Sequence, residues 1–259
     1  MPRNTRTCTP RRAVAALAVV ASLVPALSGC SAYDATSPAD ARSHPVAEGR
    51  DRAASGVDCA KERCIALTFD AGPSEHTPRL LDILKEKKVH ATFFLLGKNH
   101  VVKHPELVRR EADEGHEIAN HTWSHKILTD LDADGIREEL TLSQDAIAKI
   151  TGRKPTLMRP PQGRTDDTIA DVTRELGLAQ VLWSATAKDY STNDSALIEK
   201  RILDQADRDG IILLHDIYDG TVPAVPGIID ELKKRGYTFV TVPELLAPGT
   251  AEPGKVYKP

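Results

Sequence analysis

The 259-residue chain has few aromatic residues and no basic excess: aromatics make up 4% of it, and its formal net charge is −3. An extended aromatic platform for gripping a long glycan is therefore not expected. Nucleic-acid binding is not expected either, because no basic stripe or tail follows the first residues. The length and the 41% hydrophobic content suit one soluble domain with a non-globular end, which we expect to be a monomer.

The chain also lacks a long apolar run. Residues 13–27 form an apolar stretch that is too short for a comfortable membrane span, and they follow a cationic start. The stretch ends Leu-Ser-Gly-Cys at Cys30, which resembles a bacterial lipobox. We therefore expect residues 1–29 to be a lipoprotein signal peptide and a lipid on Cys30 to anchor the protein outside the membrane. Secretion with an ordinary signal peptide is the alternative.

Cysteines are scarce, and two of the four open the folded part. Cys59 and Cys64 stand with four residues between them, and in an exported chain we interpret them as a disulfide. A metal-binding pair is the alternative. Residues 30–57 show no hydrophobic period and are predicted to be a flexible tether. Residues 248–259 are predicted to be a loose tail.

Between these ends, short apolar runs alternate with amphipathic stretches of helix length. The predicted strands cover residues 65–69, 91–95, 117–119, 156–158, 179–183, 210–214 and 238–241. The predicted helices cover residues 77–87, 105–114, 134–150, 166–175, 195–207 and 225–235. This alternation predicts one α/β domain over residues 58–247, with a parallel sheet that is closed into a barrel or doubly wound.

Polar residues stand where several predicted strands end. Asp70, His121, Arg159 and His215 each follow an apolar run, and His125 lies four positions after His121. The carboxyl ends of parallel barrel strands converge on one face. Four-residue spacing on a helical turn would also put both imidazoles on one side. Each residue alone could be an ordinary turn or core residue, but together they indicate metal-assisted hydrolysis.

The motifs Thr-Phe-Asp-Ala-Gly, His-Thr-Trp-Ser-His, Arg-Pro-Pro-Gln-Gly and Leu-Leu-His end the strands in this order. From about Cys64 to Leu246 the chain resembles a polysaccharide deacetylase domain, the carbohydrate esterase family 4 or NodB-homology group. The resemblance implies a distorted (β/α)7-8 barrel with a divalent metal, usually zinc. It also implies an enzyme that removes N- or O-acetyl groups from glycans.

The resemblance implies a role for each matching residue. Asp70 would be the general base on metal-bound water, and Arg159 would orient it. His121 and His125 would ligate the metal. His215 would protonate the leaving group.

Two further residues fill positions that are partly changed from the family pattern. Asp189 would tune His215, and the backbone N–H of Gln162 would help to hold the oxyanion. Gln162 replaces a tyrosine, while Thr186 and Tyr190 replace an aspartate and a tryptophan. These replacements indicate a reshaped acyl or sugar pocket.

Ala71 departs most from the pattern, because the family has an aspartate there as the third protein ligand. A methyl group cannot coordinate a metal, and catalytic zinc sites normally keep three protein ligands. Three outcomes stay open: Asp70 turns onto the metal, an extra water fills the gap, or the site is weak or empty.

We interpret the chain as an extracytoplasmic, membrane-anchored deacetylase of cell-wall or extracellular amino-sugar glycan. Peptidoglycan is nearest to a membrane anchor, and chitin-like oligomers and acetylxylan remain open. The alternative is a glycan-binding lipoprotein that has lost turnover together with the metal aspartate.

Overall fold

The computed structural model describes residues 33–44 and 56–259. The predicted signal peptide, Cys30 and residues 45–55 of the predicted tether lie outside the described residues. Within the described part, no helix combines the length and the apolar character that crossing a membrane would need.

The described residues form one curled sheet of ten strands, and every pairing in it is parallel. The strands are β1 (Ala35–Thr36), β2 (Arg63–Asp70), β3 (Thr92–Leu95), β4 (Glu117–Asn120), β5 (Leu157–Met158), β6 (Ala179–Val181), β7 (Ala185–Thr186), β8 (Gly210–Leu214), β9 (Tyr237–Val240) and β10 (Val256–Tyr257). They follow the order β1-β10-β6-β5-β4-β3-β2-β8-β7, with β9 also paired to β2. The sheet is a curled half-barrel, so the predicted distorted barrel is confirmed as an open one.

Helices connect most of the strands and cover the outside of the sheet. They are α1 (Pro38–Ser43), α2 (Thr77–Lys87), α3 (Pro105–Asp113), α4 (Ala133–Thr151), α5 (Asp167–Glu175), α6 (Ser195–Gln205), α7 (Thr221–Lys234) and α8 (Val242–Leu246). Asp132, Asp166 and Asp194 start α4, α5 and α6, and each side chain accepts a backbone N–H three residues ahead. Such caps satisfy donors that the first helical turn leaves unpaired.

Strand β2 explains how the fold presents polar residues at one rim. Ile65, Leu67 and Phe69 pack into the apolar layer under the helices, while Cys64 and Ala66 pack inside the curl. Successive side chains of a strand point to opposite faces, so Asp70 points into the mouth of the curl. In the neighbouring strand β8, Leu214 pairs with Phe69, which places the next residue of that chain level with Asp70.

Both chain ends of the described part belong to the sheet. β1 pairs with β10, and β10 pairs with β6. In α1, Arg42 donates to the Leu245 carbonyl at 2.8 Å and forms an ion pair with Asp209 at 2.6 Å. The prediction of a flexible tether is therefore wrong for residues 33–44, and the loose tail is wrong for residues 256–257. A two-residue strand is too short to show a hydrophobic period in the sequence. Its partner strands are distant in the chain, so local sequence does not reveal it.

Cys59 and Cys64 are joined by a disulfide in the structure, with their Cα atoms 5.4 Å apart. Both cysteines are buried inside the curl, Cys64 near the start of β2 and Cys59 in the turn before it. The bond therefore fastens the segment that enters the sheet to its central strand.

Candidate active site

Asp70 and Arg159 form a buried ion pair at the end of β2. Arg159 Nη1 donates to Asp70 Oδ1 at 2.6 Å and to the Thr68 hydroxyl oxygen at 2.8 Å. Its Nε donates to the Val181 carbonyl at 3.0 Å, and its guanidinium carbon lies 4.1 Å from the Phe94 ring centroid. Arg159 is fully buried and Asp70 is 2% exposed. Burying either charge without its partner would cost free energy, so each of the two residues depends on the other for its place in the core.

His121 stands beside this pair with one ring nitrogen oriented by the backbone. Its Nδ1 lies 2.8 Å from the Arg159 carbonyl oxygen, and its Nε2 lies 3.8 Å from Asp70 Oδ2. Burial lowers the pKa of His121 to about 4, and the nearby Asp70 charge only partly opposes this. The imidazole is therefore neutral at pH 7, which is the form that binds metals.

His125 is brought to the same place by a loop. The rings of His121 and His125 lie with centroids 4.9 Å apart. Residues 121–125 contain no helical turn, and φ is +70° at Thr122 and +63° at His125. The predicted helical turn is therefore wrong, although the two imidazoles are adjacent as expected.

Two buried side chains that the sequence analysis missed organise this loop. Asn120 Oδ1 accepts the Thr122 N–H at 2.8 Å. Glu139 of α4 accepts the N–H groups of Trp123 at 3.1 Å and of Ser124 at 2.8 Å. These acceptors replace the carbonyls that a helix would use, and they lie on different elements. Asn120 lies only two residues before Thr122, whereas no local pattern in the sequence links Glu139 to this loop.

His215 is held by Asp189 on the other side of the rim. His215 Nδ1 lies 2.8 Å from Asp189 Oδ1. The other oxygen of Asp189, Oδ2, accepts the backbone N–H of His215 at 2.7 Å and the hydroxyl of Thr221 at 2.9 Å. Burial acts to lower the pKa of His215, but the hydrogen bond and charge of Asp189 outweigh it, so that pKa is raised. Sequence reasoning missed Thr221, which reaches Asp189 from the start of α7.

The remaining predicted residues line the same rim. Gln162 is exposed in the turn Pro161–Gly163 after β5, with φ +58°. Tyr190 is 59% exposed, and its ring centroid lies 6.5 Å from that of His215. Thr186 is in β7, where its hydroxyl accepts the Lys188 N–H at 3.3 Å. Their positions allow contact with a bound sugar.

Ala71 occupies the position where a third ligand is expected. Its N–H donates to the Phe94 carbonyl at 3.0 Å, its φ is +66°, and its methyl is buried. In the part of the chain that the structure describes, no group of three or more His, Cys, Asp and Glu side chains could hold a metal ion. Two imidazoles beside Asp70 therefore do not fit a zinc site with three protein ligands.

Comparison with known proteins agrees with this geometry. Residues 58–181 match the family model described as polysaccharide deacetylase. Peptidoglycan-N-acetylmuramic acid deacetylase PdaA of Bacillus subtilis is 38% identical over 192 residues, which cover 72% of each chain. The chain belongs to the polysaccharide deacetylase family. Deacetylases of this family are metal-dependent in general.

The family includes longer proteins. Peptidoglycan-N-acetylglucosamine deacetylase PgdA of Listeria monocytogenes is 40% identical over 182 residues, which cover 70% of this chain. The same match covers only 38% of the Listeria protein.

Solved structures share the fold of this family member. A deacetylase solved with its substrate has a TM-score of 0.75 at 42% identity, covering 78% of this chain and 100% of that one. A mutant of a carbohydrate esterase family 4 pseudoenzyme, with restored enzymatic activity, has a TM-score of 0.68 at 28% identity. That match covers 72% of this chain and 68% of the pseudoenzyme. The family fold is therefore present in active enzymes and in a pseudoenzyme.

Proposed function

We propose that this polysaccharide deacetylase family member is an extracytoplasmic hydrolase that removes acetyl groups from peptidoglycan amino sugars. One observation carries the proposal: two buried carboxylate pairs, Asp70 with Arg159 and Asp189 with His215, meet at one rim. The names of the relatives support the substrate class, since they are peptidoglycan deacetylases. Chitin-like oligomers and acetylxylan are the other acetylated glycans to be compared.

The chain's own residues supply the proton transfers of an amide hydrolysis. Asp70 Oδ2 accepts a proton from the water that adds to the acetyl carbonyl carbon, while the hydrogen bond from Arg159 keeps Oδ1 occupied. Protonated His215 donates a proton to the departing nitrogen as the C–N bond breaks, which leaves acetate and a free amine. The backbone N–H of Gln162 is proposed to hold the oxyanion.

His121 and His125 are the side chains that we propose for a divalent ion. Imidazole donors suit zinc among the common ions. The methyl group of Ala71 replaces the third protein ligand, so the proton transfers are proposed for the chain's own side chains and not for the ion.

The location is part of the same proposal. A lipid on Cys30 would hold the domain at the external face of the membrane, next to the cell wall. If the Cys30 motif is not processed, the protein would be secreted instead.

A glycan-binding role without turnover is the second candidate, and Ala71 is the observation that favours it. The similarity to a pseudoenzyme supports keeping this candidate in the test.

Acetate release from N-acetylated peptidoglycan fragments by residues 31–259, with zinc and with chelator, distinguishes the two. Release that Asp70→Asn and His215→Gln abolish would support the enzyme, and chelator sensitivity would support the ion. No release under conditions where Ala71→Asp releases acetate would make the natural protein a binder.

A further inference from the structure

A cavity of about 360 Å³ lies beside the proposed active site and plays no part in the steps above. Pro73 and Ile217 line it, and they stand three residues after Asp70 and two residues after His215. The Ser74 hydroxyl donates to the Asp216 carbonyl at 2.7 Å, which ties the two loops together. A ligand in this cavity would therefore adjoin a sugar bound at the rim.

Three histidines and one lysine are among the residues that line the cavity. The histidines are His76, His100 and His104, and the lysine is Lys103. His100 Nδ1 lies 2.9 Å from the Pro73 carbonyl oxygen, so this ring is fixed against the loop that follows Asp70. One side of the cavity is therefore held in place by a hydrogen bond within the chain.

Charge in the cavity is incompletely paired. His76 Nε2 lies 3.2 Å from Asp219 Oδ1, and His104 Nδ1 lies 3.7 Å from Glu106 Oε1. The Lys103 ammonium has no ion-pair partner within the described ranges 33–44 and 56–259. Glu75 is the carboxylate of the lining, and it is exposed. A lysine ammonium is a mobile point charge that suits a carboxylate.

We propose that this cavity binds the carboxylate of a glycan unit next to the acetylated sugar, with Lys103 as the recognising charge. Peptidoglycan strands from which the stem peptides have been removed have the required chemistry, because every second sugar then carries a free lactyl carboxylate, whereas a chitin chain has no carboxylate. The proposal rests on the proposed function and narrows its substrate to glycans with alternating acidic units. Asn99 adds an amide to the lining that can bond sugar hydroxyls.

The test compares two tetrasaccharides of equal length, a neutral chitotetraose and a peptidoglycan fragment that has lost its stem peptides and so carries free lactyl carboxylates. Steady-state kinetics are measured for the natural chain, Lys103→Gln, Lys103→Arg and Lys98→Gln. Lys98 is the matched control, because it is exposed in the short helical segment Gly97–Val101 just before Lys103 but does not line the cavity. We expect Lys103→Gln to lower kcat/KM about tenfold on the acidic glycan, through KM, and to leave the neutral one unchanged. Lys103→Arg and Lys98→Gln should keep the preference.

An equal effect of Lys103→Gln on both glycans, or no effect, would overturn the proposal. Absence of turnover on both glycans would count against the proposed deacetylase activity and not against the cavity. Calorimetric binding of the same two glycans would then test whether the cavity binds a carboxylate. Binding that depends on the carboxylate and is lost in Lys103→Gln would support it. Equal binding of both glycans would overturn it.

Discussion

The carbonyl oxygen of Arg159 lies 2.8 Å from Nδ1 of His121. Because a carbonyl can only accept, Nδ1 carries the proton and Nε2 keeps its lone pair, which faces Asp70 Oδ2 at 3.8 Å. Arg159 therefore orients two groups at once, the carboxylate through its guanidinium and the imidazole through its backbone. Such support normally accompanies a metal-binding histidine. It is intact here despite Ala71.

Replacing Ala71 by aspartate should strengthen zinc binding at least about tenfold and raise acetate release, because it adds an anionic third ligand to the two imidazoles. The backbone at this position has φ +66°, which aspartate and asparagine tolerate better than alanine. Ala71→Asn is therefore the matched control, with a suitable backbone but no charge. Zinc affinity is measured by competition with a chelator. Equal affinities of the natural chain and Ala71→Asp would contradict this assignment of position 71.

Arg159→Met should leave Asp70 as an unpaired buried charge and lower the free energy of unfolding by about 3–5 kcal/mol. The double variant Arg159→Met with Asp70→Asn removes both charges, so it should recover part of the loss. Urea unfolding of the natural chain and of both variants measures the two effects. A single variant that loses less than about 1 kcal/mol would show that the pair is not coupled as the structure indicates.

Asp189→Asn should lower the pKa of His215, because it removes the hydrogen bond and charge that outweigh the effect of burial. His215 must be protonated to donate in the proposed reaction. The alkaline limb of the kcat profile should therefore move to lower pH. Thr221→Val should move it less in the same direction, because the Thr221 hydroxyl helps to hold the Asp189 carboxylate against His215, and Thr221→Ser should restore it. Nuclear magnetic resonance titration of His215 measures its pKa without turnover. An alkaline limb that does not move in Thr221→Val would refute the positioning role of Thr221.

His116 should contribute to acid unfolding. Its Nδ1 accepts the Ala91 N–H at 3.1 Å, and burial lowers its pKa from 6.5 to about 4. The folded pKa is below the unfolded one, so the stability is complete above about pH 6.5 and is lost as the pH falls towards 4. The full loss would be about 3 kcal/mol. His116→Gln should flatten the stability curve between pH 7 and 4, whereas His44→Gln, at an exposed site, should not. Identical slopes in all three proteins would exclude His116 as the source.

In a chain of residues 31–259, Cys59 and Cys64 are the cysteines present. The unreduced folded protein should show no titratable thiol. Changing both cysteines to serine should lower the free energy of unfolding by about 2 kcal/mol, because the closed loop is short. Thiol titration before and after reduction, with thermal unfolding of the double variant, checks both statements. A free thiol in the unreduced folded protein would contradict the bond.

Strands and helices with strong local patterns were predictable from the sequence. Strand β8 and helix α2 have the predicted limits, because an apolar run and a proline-initiated amphipathic stretch define them locally. The strand-end positions of the site residues followed from the same pattern. Helix α8 was not predicted, although Thr241 and Glu244 form a capping box whose Thr-x-x-Glu spacing is visible in the sequence. The short strands β1, β7 and β10 depend on pairing with distant residues and could not have been found locally.

The sequence predicted which side chains meet at the rim, and their roles stay predictions, but it did not predict the residues that hold them in place. His121 and His125 are adjacent through a loop, because Asn120 and Glu139 take the N–H groups that a helical turn would use. Glu139 and Thr221 reach their partners across 15 to 32 residues of chain. Nothing in their local sequence distinguishes them from ordinary helix residues.

The pairing of β1 with β10 joins the two ends of the described chain by hydrogen bonds. A fragment cut at residues 58 and 247 would remove both strands and leave the outer edge of β6 without the partner that β10 provides. Unpaired edges of this kind recruit strands from other molecules and cause aggregation. The segments at the two ends thus protect the sheet from self-association, and they belong in any fragment prepared for crystallisation or display.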